Sequence, residues 1–319
     1  MNRDSTNSDP LLVVRRLHVV LGGDPGPAIP VIEDVSFSVF PSTTVVLLGE
    51  SGSGKTVLSR SLTGLLNGNG HATGSVLFEG MELLSAGEEV LQQVRRKGIR
   101  YVFQDPTQAL NPLAKIESQL RLAGVDEEKE ALAALLTMVG IQDEREVLRS
   151  YPHQLSVGMA QRVMIAMAMI ASPKLLIADE PTSAVDASLR FRLLDLMDEL
   201  RRSRGLALLL ITHDLDIARL YGDLVVVLYE GKVVESAPAA EFFPAPHHPY
   251  SRMLLRLRVS ASTTFAEAGE TPEDADRLKH SSGCRFVPRC PVGRPRCSEE
   301  EPPLEQAGIE REVRCFYWK

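Results

Sequence analysis

The sequence predicts an α/β fold with a largely parallel sheet, and two patterns in the 319-residue chain carry this prediction. Apolar segments of strand length, such as 175–178 and 207–211, alternate with amphipathic helical segments such as 187–204. A glycine-rich turn also leads directly from the apolar segment 44–48 into a helical segment that starts at Lys55. This order of elements is typical of parallel sheets whose strands are connected by helices.

Composition limits the classes of function that the chain can have. Hydrophobic residues make up 44% of the sequence, which is enough for a sizeable core. A formal net charge of −7 argues against a general nucleic-acid-binding protein, whose binding surface would need an excess of basic residues. Residues 1–10 lack the apolar core of a secretion signal, and no apolar run reaches the roughly 20 residues that span a bilayer.

The course of the chain divides the sequence into three predicted units. Residues 10–240 carry the strand and helix pattern, with a more polar, helical part at about 105–170. Residues 241–282 begin with closely spaced prolines and histidines and continue as a polar linker from 260 to 282. Residues 283–319 contain all four cysteines. We therefore expect one large α/β unit, a connecting segment and a small cysteine-rich tail.

The segment 49–56 matches the phosphate-binding pattern G-x-x-x-x-G-K-[ST] at every position. It consists of Gly49, Glu50, Ser51, Gly52, Ser53, Gly54, Lys55 and Thr56. Glycines allow the backbone to bend until successive N–H groups point at phosphate oxygens. Lys55 is then expected to bridge the β- and γ-phosphates of ATP, and the Thr56 hydroxyl to ligate Mg²⁺. The position of the pattern between a strand and a helix favours this interpretation over a chance glycine-rich turn.

A second apolar strand ends in two carboxylates, Asp179 and Glu180. In a fold with a phosphate-binding loop this strand end lies beside the phosphates, so Asp179 is expected to hold Mg²⁺ through water. Glu180 is expected to act as the general base on the attacking water. A strand that ends in two acidic residues is common by itself, and the prediction depends on its combination with the segment 49–56.

Four further motifs resemble those of the ABC transporter ATPase family, and they occur in the family's order. Gln104 lies in a sequence similar to the Q-loop, and the segment 155–162 is similar to the signature motif. Residues 183–186 resemble the D-loop, and His213 follows a strand as the family's switch histidine does. The resemblance covers residues 10–240. It implies a P-loop ATPase core of the ABC type, with an antiparallel β-subdomain and a helical subdomain.

The same resemblance implies roles for the matching residues. Gln104 would contact Mg²⁺ or the attacking water, and His213 would bind the γ-phosphate of ATP. Ser156 and Gly158 of the signature would face the nucleotide of an opposing subunit, and Asp186 would lie at the subunit interface. Two such chains would therefore enclose two ATP molecules between them.

Two features resemble the oligopeptide and dipeptide importer ATPases within that family. The first is the Pro/His-rich segment 243–250, and the second is the four-cysteine tail that begins at 283. The resemblance implies a subunit at the cytoplasmic face of the membrane. Its partners would be a second ATPase subunit, two transmembrane permease subunits and, indirectly, an extracytoplasmic solute-binding protein, but no nucleic acid. Import of nickel or another small solute stays open as an alternative, and so does a regulatory subunit with weak hydrolysis.

The sequence departs from the family pattern at three positions. Val157 stands where the signature usually has its first glycine, which adds bulk beside a phosphate site. Val185 replaces the usual leucine of the D-loop, which is a mild change. Ile29 or a neighbour stands where an aromatic residue usually stacks on adenine, so an aliphatic contact is expected there with some loss of affinity.

The four cysteines form the last candidate site. Five, six and seventeen residues separate Cys284, Cys290, Cys297 and Cys315, unlike the paired C-x₂-C spacing of common zinc ribbons. From the spacing alone the thiolates could hold a [4Fe–4S] cluster, a Zn²⁺ ion or no metal. The family resemblance favours a structural [4Fe–4S] cluster. Because the tail lies beyond the linker, far in sequence from every ATP motif, we expect the cluster to organise the tail for docking and to take no part in hydrolysis. Five nearby arginines would either offset its charge or form an ordinary solvated surface: Arg285, Arg289, Arg294, Arg296 and Arg314.

Overall fold

Two β-sheets, one antiparallel and one mainly parallel, organise the fold. They are seen in a computed structural model that describes residues 9–22, 27–66, 70–106, 109–124, 129–183, 185–259 and 282–319. Of the predicted linker 260–282, only residue 282 belongs to the described part of the chain. Residues 1–8 and Ala184 of the predicted D-loop also lie outside them.

The first sheet is the antiparallel subdomain that the family resemblance implied. Its strands are β1 (Leu12–Leu21), β2 (Ile29–Val39), β4 (His71–Phe78) and β5 (Met81–Glu82). They are arranged in the order β2-β1-β4-β5, and every neighbouring pair is antiparallel. One face of the sheet is apolar because alternate residues of each strand point to the same side. That face packs in one core with the second sheet, where Leu12, Leu17 and Ile32 are fully buried.

The second sheet positions the candidate site. Its strands are β3 (Thr44–Leu48), β6 (Ile99–Val102), β7 (Leu175–Asp179), β8 (Ala207–Thr212), β9 (Leu224–Tyr229), β10 (Lys232–Pro238), β11 (Glu305–Gln306) and β12 (Glu312–Val313). Their order is β11-β12-β10-β9-β3-β8-β7-β6. The run from β9 to β6 is parallel, whereas β10 pairs antiparallel with β9 as the predicted hairpin. Strands β3, β7 and β8 are buried at every residue, which is typical of parallel strands covered on both faces.

Helices cover the second sheet and form the helical subdomain. They are α1 (Lys55–Ser61), α2 (Glu88–Gln93), α3 (Ile116–Ala123), α4 (Lys129–Met138), α5 (Glu144–Arg149), α6 (Val157–Met169), α7 (Ala187–Arg204), α8 (Leu215–Tyr221), α9 (Ala239–Phe242), α10 (Pro249–Val259) and α11 (Pro295–Glu299). Helices α3 to α6 pack on one another inside the predicted helical part, around Leu120, Leu136 and Val163. In the described part of the chain, no helix is long and apolar enough to span a bilayer.

The C-terminal tail packs directly on the large unit of residues 10–240, which is called the cassette below. Its strand β12 pairs with β10 and so extends the second sheet. Phe286 is almost fully buried in the core of the cassette, where its ring contacts Tyr229 edge-on at 5.2 Å and Tyr250 at 5.4 Å between ring centroids. The tail therefore draws its apolar packing from residues 224–250, and the described tail residues need no separate core.

A buried carboxylate anchors the Pro/His-rich segment. Glu235 on β10 is fully buried, and its two oxygens accept the backbone N–H groups of His247 and His248 at 2.8 and 2.9 Å. The Arg311 guanidinium from the tail lies 3.9 Å from the same carboxylate. Burying a carboxylate is costly unless donors and a positive charge surround it, so this site fixes where the segment and the tail lie on the sheet.

His248 should make the stability of the protein sensitive to acid. Its ring is buried, and Nδ1 accepts the Tyr250 N–H at 3.1 Å. Burial, with the charge of Arg252 adding to it, lowers the pKa of His248 to about 3, so the folded protein keeps the ring neutral. The unfolded chain protonates this ring near pH 6.5. The free energy of unfolding should therefore be fully present above pH 6.5 and fall by about 1.4 kcal/mol for each pH unit well below it.

Urea unfolding of the full chain between pH 7.5 and 5 measures this slope. The variant His248→Asn keeps an acceptor near Nδ1 but does not titrate, and its unfolding free energy should fall less steeply with acid than that of the wild type. Equal slopes for the two proteins would show that His248 is not the responsible group.

Candidate nucleotide-binding site

A cavity of about 800 Å³ lies at the carboxyl ends of the parallel strands. It brings together predicted site residues from four separate motifs: Gly49, Glu50, Ser51, Gly52, Gly54, Lys55, Thr56, Gln104, Asp179, Glu180 and His213. Ser53 lies beneath the loop, where its hydroxyl accepts a hydrogen bond from Lys55 Nζ at 3.4 Å. Ser156, Gly158 and Asp186 do not line this cavity, and their expected role toward the nucleotide of an opposing subunit stays a prediction.

Glycine is required at two positions of the phosphate-binding loop. Gly54 has a φ of +99°, a left-handed conformation that side chains rarely adopt. Gly49 lies so close to β9 that a Cβ atom there would be 2.3 Å from the carbonyl oxygen of Leu228. These constraints shape the turn between β3 and α1, so that the side chains of Lys55 and Thr56 face the cavity.

Lys55 is a buried cation inside the loop. Its side chain is only 7% exposed, and Nζ donates to the carbonyl oxygens of Gly49 at 2.8 Å and Glu50 at 2.7 Å. Burial lowers the pKa of Lys55, while the carboxylates of Glu180 and Asp179 raise it. The ammonium is therefore held at the entrance of the loop, the position from which it can bind β- and γ-phosphate oxygens.

Asp179 ends β7 with one carboxylate oxygen free of protein donors. Oδ2 accepts a hydrogen bond from Tyr101 Oη at 3.2 Å, and the Thr56 hydroxyl also bonds to the carboxylate. Oδ1 is buried and has no partner among the described residues. Burial raises the pKa of Asp179, while the bonds from Thr56 and Tyr101 lower it. A buried carboxylate oxygen beside a hydroxyl is a suitable donor set for Mg²⁺, and the two residues fit that ion.

Glu180 and His213 form a pair at the edge of the cavity. The Nδ1 atom of His213 lies 2.6 Å from Glu180 Oε1, within hydrogen-bond distance. Glu180 has a φ of +45°, and its N–H donates to the carbonyl of Ile211 at the end of β8. This unusual backbone turns the carboxylate away from the sheet and into the cavity, where it can reach a water molecule beside a γ-phosphate.

Two contributions to the site were missed from the sequence. Tyr101 on β6 donates to Asp179 and shares a 2.7 Å hydrogen bond with Ser59 of α1, and burial raises its pKa so that it stays a neutral phenol. Leu254 of α10 reaches the cavity from the segment beyond the cassette. A buried tyrosine and a helical leucine carry no local sequence signal for a nucleotide site, since both residue types are ordinary core residues.

Ile29, the residue expected to make an aliphatic contact with adenine, lies away from the cavity. Ile29 is 59% exposed at the start of β2 and does not line the cavity. Val31, two residues further along β2, does line it, together with Leu254. Val31 is therefore the neighbour of Ile29 that could supply an aliphatic contact to adenine, and that contact stays a prediction.

The signature motif accommodates its valine without strain. Ser156 caps α6, because its hydroxyl accepts the Met159 N–H at 3.2 Å. Val157 is the first residue of that helix, is 62% exposed, and is not among the residues with positive φ. Any effect of this valine must therefore arise where another molecule packs on it. Asp186 similarly stands at the N-terminus of α7.

The four cysteines are free thiols that lie near one another. Burial raises the pKa of Cys284 to about 11, and the other three thiols add to that rise. The described residues nevertheless contain no group of three or more His, Cys, Asp or Glu side chains placed to hold a metal ion. The arrangement therefore does not support the predicted [4Fe–4S] cluster, nor its alternative, Zn²⁺.

Of the five arginines that were expected either to offset the charge of a cluster or to form a solvated surface, three pair with carboxylates, and the other two, Arg294 and Arg296, are exposed. Three of them reach into the cassette. Arg285 pairs with Glu33, Arg289 with Glu50, and Arg314 with Asp34. The remaining two stack over aromatic rings within the tail, Arg294 on Tyr317 at 4.2 Å and Arg296 on Phe316 at 3.9 Å.

Comparison with known proteins agrees with this geometry. Residues 32–183 match the family model of the ABC transporter, and residues 234–297 match that of the oligopeptide/dipeptide transporter C-terminal region. The oligopeptide transport ATP-binding protein OppD of Escherichia coli is 38% identical, over 97% of this chain and 94% of the relative. The dipeptide transport ATP-binding protein DppD of the same organism is also 38% identical, over 96% of each chain.

Solved structures give the same result. A bacterial ABC transporter cassette solved as a dimer superposes with a TM-score of 0.64 and 25% identity, covering 72% of this chain and 98% of its own. An ATP-binding subunit of an ABC transporter superposes with a TM-score of 0.62 and 28% identity, covering 85% of this chain and all of its own. The two sheets, the cavity motifs and these relatives together show that this chain belongs to the ABC transporter family, among its oligopeptide and dipeptide transport ATP-binding proteins.

Proposed function

We propose that this chain binds ATP with Mg²⁺ and hydrolyses it to power the import of peptides across a cytoplasmic membrane. The observation that carries the proposal is the meeting of the segment 49–56, Asp179, Glu180 and His213 in one cavity. These residues come from separate parts of the sequence, and each has the side chain that one step of phosphoryl transfer to water requires.

The chain's own residues account for the reaction as follows. The N–H groups of the loop and the Lys55 ammonium bind the β- and γ-phosphates. Thr56 and Asp179 would hold Mg²⁺, which neutralises charge on those phosphates, and Gln104 on the cavity wall would contact the ion or the water. Glu180 accepts a proton from the attacking water while the water oxygen bonds to the γ-phosphorus. The bond between the γ-phosphorus and the bridging oxygen breaks, and ADP leaves. His213 holds the Glu180 carboxylate, and it would also bind the γ-phosphate of ATP.

The transported solute is proposed from the relatives. OppD and DppD are named for oligopeptide and dipeptide transport, and their similarity extends over nearly the whole chain. The working assembly would contain two permease subunits in the membrane, a second ATPase subunit and, indirectly, a solute-binding protein outside the membrane. The division of the chain into a cassette (10–240), a segment (241–282) and a tail (283–319) belongs to this proposal. Import of nickel or another small solute is the alternative within the subfamily.

Replacement of Glu180 by glutamine tests the hydrolytic function. The amide keeps the shape and the contact with His213 but accepts no proton from water, so turnover should fall by about a hundredfold or more. Binding of Mg·ATP should persist, and the variant should accumulate an ATP-bound dimer. Steady-state ATPase rates of the purified assembly and size-exclusion chromatography with ATP measure the two effects. Hydrolysis at the wild-type rate would remove Glu180 from the role of general base.

Val157 suggests that the second ATPase subunit is a different chain. The composite site that uses this chain's signature would be weakened by the exposed valine, and hydrolysis would occur mainly where Lys55 and Glu180 meet the partner's signature. Val157→Gly should then change the ATPase rate of the assembly by about twofold at most, whereas Lys55→Ala should abolish transport. A homodimer of this chain that supports full transport would contradict the proposal.

A metal centre in the tail remains a proposal that rests on composition. Four free thiols lie near one another in a tail that resembles those of the peptide importers, although their placement in the described structure does not hold a metal. If the tail takes a [4Fe–4S] cluster, anaerobically purified protein should be brown and carry about four irons per chain. Replacement of Cys297 by serine should bleach it, whereas zinc without iron, or no metal at all, would reject the cluster.

A further inference from the structure

The C-terminal tail contacts the phosphate-binding loop directly. The two terminal nitrogens of Arg289 donate to the two carboxylate oxygens of Glu50 at 2.8 and 2.9 Å. This paired geometry is the strongest form of contact between an arginine and a carboxylate, and it fixes direction as well as distance. The two residues are 239 positions apart in the sequence, and Glu50 is the second residue of the loop.

A second contact holds the backbone of the same loop residue. The Glu50 N–H donates to the Tyr250 hydroxyl at 2.9 Å. Tyr250 is fully buried, and its ring packs against Tyr229 and Phe286 at 4.6 and 5.4 Å between centroids. The Arg289 guanidinium also lies 5.9 Å from the centre of the Tyr229 ring. Residues beyond the cassette thus bind the side chain and the backbone of Glu50. Both of these residues, Arg289 and Tyr250, contact the same aromatic cluster.

Glu50 links these contacts of the tail to the ammonium group of Lys55. Its carbonyl oxygen accepts a 2.7 Å hydrogen bond from Lys55 Nζ. The loop N–H groups and Lys55 must converge on phosphate oxygens at hydrogen-bond distance, and displacement of a binding group by a fraction of an ångström costs affinity. A loop held at Glu50 from outside is already in a fixed shape before it meets the nucleotide, which lowers the entropy cost of binding.

We propose that Arg289 is a positioning residue for nucleotide binding, which acts by holding Glu50 and so makes the affinity for Mg·ATP depend on the docked tail. This inference rests on the proposed function, because it assumes that the segment 49–56 binds ATP. It assigns to the tail a part in nucleotide binding, in contrast to the purely docking role that its position in the sequence predicted.

The experiment compares the affinity for Mg·ATP of full-length variants by isothermal titration calorimetry. Arg289→Gln removes the charge and the paired donors, and it should weaken binding by roughly threefold to tenfold. Arg289→Lys keeps the charge and should recover part of that loss. The matched control is Arg296→Gln, because Arg296 pairs with Glu300 inside the tail and contacts no loop residue in the described structure, and its affinity should equal that of the wild type.

A double-mutant cycle separates positioning from general stability. If Arg289 acts through Glu50, adding Arg289→Gln to Glu50→Gln should cause no further loss of affinity. A further loss as large as that in the wild-type background would overturn the proposal, and so would wild-type affinity in Arg289→Gln. If Arg289→Gln does not fold, Arg289→Lys takes its place in the cycle. A wild-type chain that binds no Mg·ATP would overturn the proposed function itself, and this inference with it.

Discussion

Burial of the Lys55 ammonium inside the phosphate-binding loop is the constraint on which the rest of the site depends. A charge that is 7% exposed is costly unless dipoles and opposite charges surround it. The loop carbonyls of Gly49 and Glu50 supply the dipoles, and Asp179 and Glu180 supply the negative charge. The loop and the end of β7 therefore lie together, because the buried Lys55 ammonium and the carboxylates of Asp179 and Glu180 stabilise one another.

The order of strands meets this requirement. Strand β3 leads into the loop, β7 ends in the two carboxylates, and β8 leads to His213, with β8 lying between β3 and β7. The carboxyl ends of parallel strands meet at one edge of a sheet, so motifs far apart in the sequence converge there. Tyr101, on the next strand β6, completes the edge by donating to Asp179 and bonding to Ser59 of α1. A buried phenol in that place links the helix after the loop to the carboxylate of Asp179.

The local sequence pattern was sufficient to predict the elements that form this edge of the sheet. The segment 49–56, Asp179, Glu180 and His213 could be predicted because each combines a buried strand with a fixed residue type at its end. The hairpin of β9 and β10 and the long helix α7 were also predicted, since their apolar periodicity is strong. The sequence named Ile29 or a neighbour as an aliphatic contact for adenine, and of Ile29 and Val31 on β2 only Val31 lines the cavity, because Ile29 at the start of the strand is mostly exposed.

The long-range contacts of the tail could not be predicted, for a physical reason. Arg289 and Glu50 are separated by most of the chain, and an arginine beside a cysteine has the same local sequence whether it faces solvent, a metal centre or a distant carboxylate. Glu235 is similar, because nothing in the strand β10 indicates that its carboxylate is fully buried under His247 and His248. Once seen, these contacts explain the Pro/His-rich segment in chemical terms, as a backbone whose N–H groups satisfy a buried carboxylate.

The signature motif lies away from the cavity of its own chain, and its valine is exposed at the surface. Ser156 caps α6 in the ordinary way, and Val157 fits the first turn of that helix without backbone strain. Neither residue lines the cavity formed by Lys55 and Glu180. A side chain that is well tolerated in its own subunit and exposed to solvent can affect nucleotide chemistry only through a surface that another molecule brings to it. In the proposed pair of ATPases, the effect of the valine would therefore depend on the partner, and the identity of the second chain would decide how many sites hydrolyse ATP.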